Sequence, residues 1–290
     1  MELAGPQFSV MSTLLRSTLG ESPWWDGERF SWVDIREQKI HFCLLDGSDL
    51  VTIPTPSQIG FAIPTDDGRW IAGLTDGLWA ARRDSDDPEW ERIWRAPHDT
   101  EILRINDAKT DPRGRLWFGS MSYAEVEPLA ALYRFDHGVV DLIRPGVITS
   151  NGLGWSPDGR RFYHTDSLYR RIDVYDYDAE TGEAANAITF TQDPSDYVPD
   201  GLAVDSEGFV WSCKWDGGKI VRYSPAGDVV GEIAVPVERP TSCCFVGDSL
   251  STLAITTALP GDFSTREGLN GRVLLLETDT HGCRTEHVAI

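Results

Sequence analysis

The stretch "SNGLGWSPDGRRFYHTD", Ser150–Asp166, reads as a strand, a tight turn and a second strand. It opens on Asn151-Gly152, where a buried strand would begin with apolar residues. The same pattern recurs on either side. "NDAKTDPRGRLWFGSM" begins at Asn106 and "DGLAVDSEGFVWSCKWD" at Asp200. The turn glycines Gly114, Gly159 and Gly208 follow the first residue of each copy at one constant interval. Aromatic residues open each second strand: Trp117-Phe118, Phe162-Tyr163, and Phe209 with Trp211. Three weaker copies complete the series. "ESPWWDGERFSWVDI" starts at Glu21 with a shorter turn at Asp26-Gly27, and "GFAIPTDDGRWIAGLTDG" starts at Gly60 with its turn at Gly68. "TSCCFVGDSLSTLAITTA" starts at Thr241 with its turn at Gly247-Asp248.

A recurrence of about 40 to 50 residues is the spacing of propeller blades. Six copies predict an all-β, six-bladed β-propeller, each blade a four-stranded antiparallel sheet. Segments between the turns, such as "KIHFCLLDG" and "ALYRFDHG", alternate apolar and polar residues, and none has a long helical period. No linker or shift of composition interrupts the repeat, so residues 1–290 are expected to be one domain. The last segments, "GRVLLLETD" into "CRTEHVAI", are expected to close the ring with "FSVMSTLL" near the start. Closure removes the open edges of a linear stack.

The net charge is −20, which argues against nucleic acid and anionic membranes as partners, since both need a basic face. It suits a cation site, and otherwise serves solubility. No apolar run reaches membrane-spanning length, and the first twenty residues lack the basic and apolar regions of a signal peptide. The five cysteines have no metal-type spacing, and adjacent Cys243 and Cys244 would face opposite sides of a strand. Buried thiols in a reducing cytoplasm are the reading. Nucleophile-elbow, zinc-protease, P-loop and dinucleotide motifs are absent. His164 is expected to be structural, and His98 to lie in a loop.

The first residues of the six copies are Glu21, Gly60, Asn106, Asn151, Asp200 and Thr241. Equivalent positions on innermost strands ring the central channel. Glu21, Asn151 and Asp200 would then offer two carboxylates and an amide oxygen, a hard set suited to Ca²⁺, Mg²⁺ or Mn²⁺, with Zn²⁺ and Fe²⁺ also possible. The competing reading is that Asn-Gly and Asp-Gly are only turn residues. Glu21 favours the metal, because Glu is a poor turn former.

"LGESPWW" (19–25), "RINDAKTDPRGRLWFGSM" (104–121), "SNGLGWSPDGRRFYHTD" and "PDGLAVDSEGFVW" (199–211) together resemble the senescence-marker-protein/gluconolactonase/luciferin-regenerating (regucalcin-like) family, over nearly the whole chain. Bacterial sugar lactonases are the nearest in look. The resemblance implies hydrolysis of a sugar (aldono)lactone to the open acid, with one divalent cation held by Glu21, Asn151 and Asp200. The cation would act as Lewis acid on the carbonyl, and Asp200 or a metal-bound hydroxide would activate water. It also implies substrate contacts from Arg104 and Asn106, which share a face of an extended chain. Asp107 would point away and be structural. Where some animal members carry a glutamate, this chain has Tyr123, with Glu125 and Glu127 beyond it. Tyr123 is therefore expected at the substrate, and sugar preference cannot be carried over. The segment Thr257–Gly271 resembles an insert at the channel mouth. Two alternatives remain: a hydrolase of a non-sugar lactone or another ester, and a calcium-binding propeller without catalysis.

Overall fold

A computed structural model describes residues 7–11, 15–194 and 196–290. These residues contain no helix and form six four-stranded antiparallel sheets. Blade 1 spans Gly20 to Pro54, blade 2 Ile59 to Arg95, and blade 3 Leu103 to Val147. Blade 4 spans Ser150 to Gln192 and blade 5 Val198 to Ala234. Blade 6 combines Pro240–Val246, Thr252–Thr257 and Leu274–Glu277 with the N-terminal strand Phe8–Val10, which pairs Phe8 with Leu276 and Val10 with Leu274. The expected six blades and the expected closure are both present.

The closing segment differs in two details. Of "FSVMSTLL", Phe8–Val10 is the strand and residues 12–14 lie outside the described residues. "CRTEHVAI" joins no blade. It runs as an irregular strap beneath the ring, bridging Gly282 to Asp205 of blade 5 and Val288 to Thr65 of blade 2. The Ala289 N–H donates to the Gly114 carbonyl (3.0 Å) of blade 3, and the Val288 side chain is fully buried. With Gly282, whose N–H donates to the Leu250 carbonyl of blade 6, its backbone reaches turns of four blades, so no single sheet ladder could have claimed it.

The strand-turn-strand units form as expected. Gly114, Gly159 and Gly208 have φ of 79°, 67° and 84°, a region that glycine enters without a Cβ clash. The aromatics that open second strands pack between blades: Trp117, Trp155, Phe162, Tyr175 and Tyr177 form one cluster between blades 3 and 4. Its rings lie close, as in Trp117–Phe162 at 4.7 Å and Trp155–Phe162 at 4.9 Å. Cys243 and Cys244 enter different clusters, as a strand's alternation requires, and Cys283 alone of the five free thiols is exposed.

The crossing from blade 4 to blade 5 is tied down by a buried ion pair. Lys214 Nζ donates to Asp193 Oδ2 (2.5 Å) and Ser212 Oγ (3.0 Å), and Tyr223 Oη donates to Asp193 Oδ1 (2.9 Å). The Lys214 side chain is fully buried.

Every innermost strand breaks register at or beside the first residue of its copy. The breaks fall between Glu21 and Trp24, Ile59 and Phe61, Ile105 and Ala108, Asn151 and Leu153, Pro199 and Leu202, and Pro240 and Ser242. Six bulges thus circle the channel, each re-aiming a side chain out of the regular alternation. Asn151-Gly152 and Asp200-Gly201 are bulges inside strands, not turns. A Cβ on Gly152 would meet the Asp200 carbonyl oxygen at 2.6 Å, and one on Gly201 would meet Ser242 Oγ at 2.1 Å. Glycine is required there because neighbouring inner strands touch.

Candidate functional site

One end of the channel opens into a cavity of about 520 Å³. Asn106, Asn151 and Asp200 form part of its wall, from the bulges of blades 3, 4 and 5. The residues two places earlier on all six inner strands, Leu19, Gln58, Arg104, Thr149, Val198 and Arg239, line it as a second ring. Glu21 is not in the wall. Its carboxyl lies close enough to Asp107 to be raised by that charge, and both raise Asp200. Glu21, Asn151, Asp200 and Arg104 are 7%, 8%, 5% and 6% exposed, so their polar groups must be satisfied within the protein or by what binds there.

The carboxylates are not satisfied by side-chain cations. Glu21 Oε2 accepts only the N–H of Ser22 (2.8 Å), and neither Glu21 nor Asp200 forms a salt bridge among the described residues. Burial, then the charge of Asp107, pushes Glu21 up to about 8, against the Ser22 N–H and Arg104. Burial, then Glu21 and Asp107, holds Asp200 well above the usual aspartate range. Asp107 is pushed up to about 6 by burial, opposed by Lys109. Asp107 is buried and does not line the cavity, while its charge reaches Glu21 and Asp200.

The third oxygen comes from an amide fixed at both ends. Asn151 Nδ2 donates to Ser167 Oγ (2.8 Å), and Asn151 Oδ1 accepts from Asn106 Nδ2 (2.8 Å). Asn106 Nδ2 also donates to the Ser150 carbonyl (2.8 Å). This network settles which atom of Asn151 is oxygen, and a carbonyl oxygen keeps a second lone pair. Both donors of Asn106 are engaged, which leaves it only its oxygen for anything in the cavity.

Among the described residues, no three His, Cys, Asp or Glu side chains gather as a metal-binding group. Two desolvated carboxylates without a counter-ion beside an oriented amide oxygen nevertheless fit a hard divalent cation. The amide is the necessary third donor.

Arg104 donates to the Ile105 carbonyl (3.0 Å), and burial lowers its affinity for its proton. Tyr123, 43% exposed, donates to Gln58 Oε1 (3.1 Å) at the rim. Glu125 also lines the cavity; desolvation raises its carboxyl and Arg104 opposes the shift. Sequence reading noticed Glu125 without assigning it a place.

The far rim is a stack that spacing does not show. Arg36 Cζ lies 3.8 Å from the centre of the Phe263 ring, and Arg239 Cζ lies 5.3 Å from Phe263 and 4.5 Å from Trp215. Phe263 belongs to the insert Thr257–Gly271, so that segment does reach the cavity wall. Arg239 donates from Nε to Asp216 (2.5 Å) and from Nη1 to the carbonyls of Leu259 (3.2 Å) and Gly261 (2.8 Å). His164 pairs with Ser150 Oγ (2.8 Å) away from the cavity and is structural, and His98 finds the Thr75 carbonyl (3.0 Å).

Residues 19–259 match the family described as the SMP-30/Gluconolactonase/LRE-like region. The pentonolactonase XacC of Haloferax volcanii is 36% identical over 256 residues, covering 86% of this chain and 85% of that protein. The L-arabinolactonase of Azospirillum brasilense is 36% identical over 255 residues, covering 85% and 83%. A solved calcium-binding protein, regucalcin, from Agrobacterium tumefaciens superposes with a TM-score of 0.90 at 25% identity, covering 99% of each chain. The chain belongs to the SMP-30/gluconolactonase/LRE-like family.

Proposed function

We propose that this protein hydrolyses a sugar lactone to the open aldonic acid, with one divalent cation, Ca²⁺ first, held by Glu21, Asn151 and Asp200. The observation that carries this reading is the pair of buried carboxylates without a counter-ion beside a doubly fixed amide, with Asp200 and Asn151 lining an arginine-bearing cavity and Glu21 behind them. Relatives named as sugar lactonases support the substrate class, and a neighbour named as calcium-binding supports the ion.

When bound, the cation supplies electrostatic stabilisation for the charge that develops on the lactone carbonyl oxygen. The chain's own residues do the rest. Arg104 holds the sugar's oxygens from the second ring, and Tyr123 borders the open side. Asn106 fixes Asn151 and offers its own oxygen to a hydroxyl. Asp200 takes the proton of the attacking water as its oxygen bonds to the carbonyl carbon. The ring C–O bond then breaks, and that proton passes to the leaving ring oxygen. The products are a hydroxyl and a carboxylic acid, which ionises.

The test is acid release at constant pH from a panel of aldonolactones, with chelated protein and then with Ca²⁺, Mg²⁺, Mn²⁺, Zn²⁺ or Fe²⁺. Metal-restored turnover that disappears in Asp200→Ala is expected. Cation binding without turnover of any lactone would favour a calcium-binding propeller instead.

A further inference from the structure

Arg36 lies in the turn between the second and third strands of blade 1 and lines the cavity. Stacking on Phe263 fixes the plane of its guanidinium, while its N–H rim has no acceptor or counter-ion among the described residues. Its neighbours on the wall are better served. Arg239 has Asp216 and two carbonyls, and Arg104 has the Ile105 carbonyl and the fields of Glu21 and Glu125. Arg36 and Arg104 are close enough for their like charges to oppose each other. A protein of net charge −20 thus keeps three arginines around one small cavity, and Arg36, on its exposed rim, has no counter-ion among the described residues.

The acidic groups facing this cavity are accounted for. Asp216 belongs to Arg239, Glu125 draws on Arg104, and Asp200 belongs to the cation set. What remains is a fork of guanidinium donors, which matches a carboxylate or sulfonate better than a hydroxyl.

Resting on the lactonase reading, we infer that Arg36, seconded by Arg104, is a specificity subsite for an anionic group on the substrate, so that the preferred lactone carries a second, negatively charged substituent away from its ring ester. Charge-assisted hydrogen bonds are about twice as strong as neutral ones, which at a half-open rim corresponds to about tenfold in kcat/KM.

The test compares D-glucaro-1,4-lactone with D-glucono-1,4-lactone, which differ in a carboxylate against a hydroxymethyl, on the Ca²⁺-loaded protein. About tenfold higher kcat/KM for the glucarolactone is expected, carried mostly by KM and eroded by 0.5 M salt. Arg36→Gln should bring the two lactones to parity, and Arg36→Lys should restore part of the preference. Equal rates in the unaltered protein, or a preference that survives Arg36→Gln, would overturn the subsite while leaving the lactonase reading intact. No acceleration of either lactone, or of the aldonolactone panel, would sink the lactonase reading and the subsite with it.

Discussion

Replacing Lys214 with Met tests whether the buried ion pair governs the blade 4–blade 5 crossing. The variant keeps the volume of the side chain and leaves Asp193, 4% exposed at its side chain, facing only Tyr223. Removing one member of a buried pair costs about 3–5 kcal/mol, because the remaining charge stays desolvated. Urea unfolding followed by tryptophan fluorescence at pH 7 should therefore show a loss of about 4 kcal/mol. The corresponding fall in Tm is roughly 10 °C. Adding Asp193→Asn should recover most of the loss. A loss below about 1 kcal/mol, or one that Asp193→Asn does not reduce, would refute the reasoning.

Four further outcomes are expected. Gly152→Ala places a Cβ 2.6 Å from the Asp200 carbonyl oxygen and 2.8 Å from Thr165 Oγ1, and should destabilise by about 3 kcal/mol. Gly231→Ala, with nothing within 4 Å, should be neutral or slightly stabilising in the same denaturation assay. Ser167→Ala releases the nitrogen end of the Asn151 amide and should weaken Ca²⁺ binding by about 10- to 100-fold in calorimetry; an unchanged Kd would remove Ser167 from the site. Burial, then Lys39, holds His41 down to about 4, so the unfolded chain binds its proton first as pH falls below about 6.5. Its contribution is present above that pH and falls by about 1.4 kcal/mol per unit down to about 4. His41→Asn should flatten the pH dependence of stability by that slope, and an unchanged slope would contradict the assignment.

The ring was legible because a propeller repeats one sentence of sequence, and a turn glycine at a fixed interval marks each copy. Glu21, Asn151 and Asp200 were legible for the same reason: each is the first residue of its copy and occupies the bulge of its blade. The reach of the Asp107 charge to Glu21 and Asp200 was not legible, because it depends on burial between blades. The strap at 278–290 has no period, since its partners are turns of four different blades. The Arg36–Phe263–Arg239–Trp215 stack joins residues far apart in the chain through ring faces, which leave no spacing to read. That both donors of Asn106 serve Ser150 and Asn151 was not legible, because the neighbouring blade makes that choice.

The pairing of Phe8 with Leu276 also sets a timetable for biosynthesis. Strand Phe8–Val10 leaves the ribosome long before its partner Leu274–Glu277. At about 5–20 residues per second, it waits roughly 15–55 s with no mate. During that interval the nascent chain is an open arc with a free edge at each end, and it is then most exposed to aggregation and most in need of chaperones. Damage that slows translation late in the message would prolong this vulnerable stage without altering one residue of the finished ring.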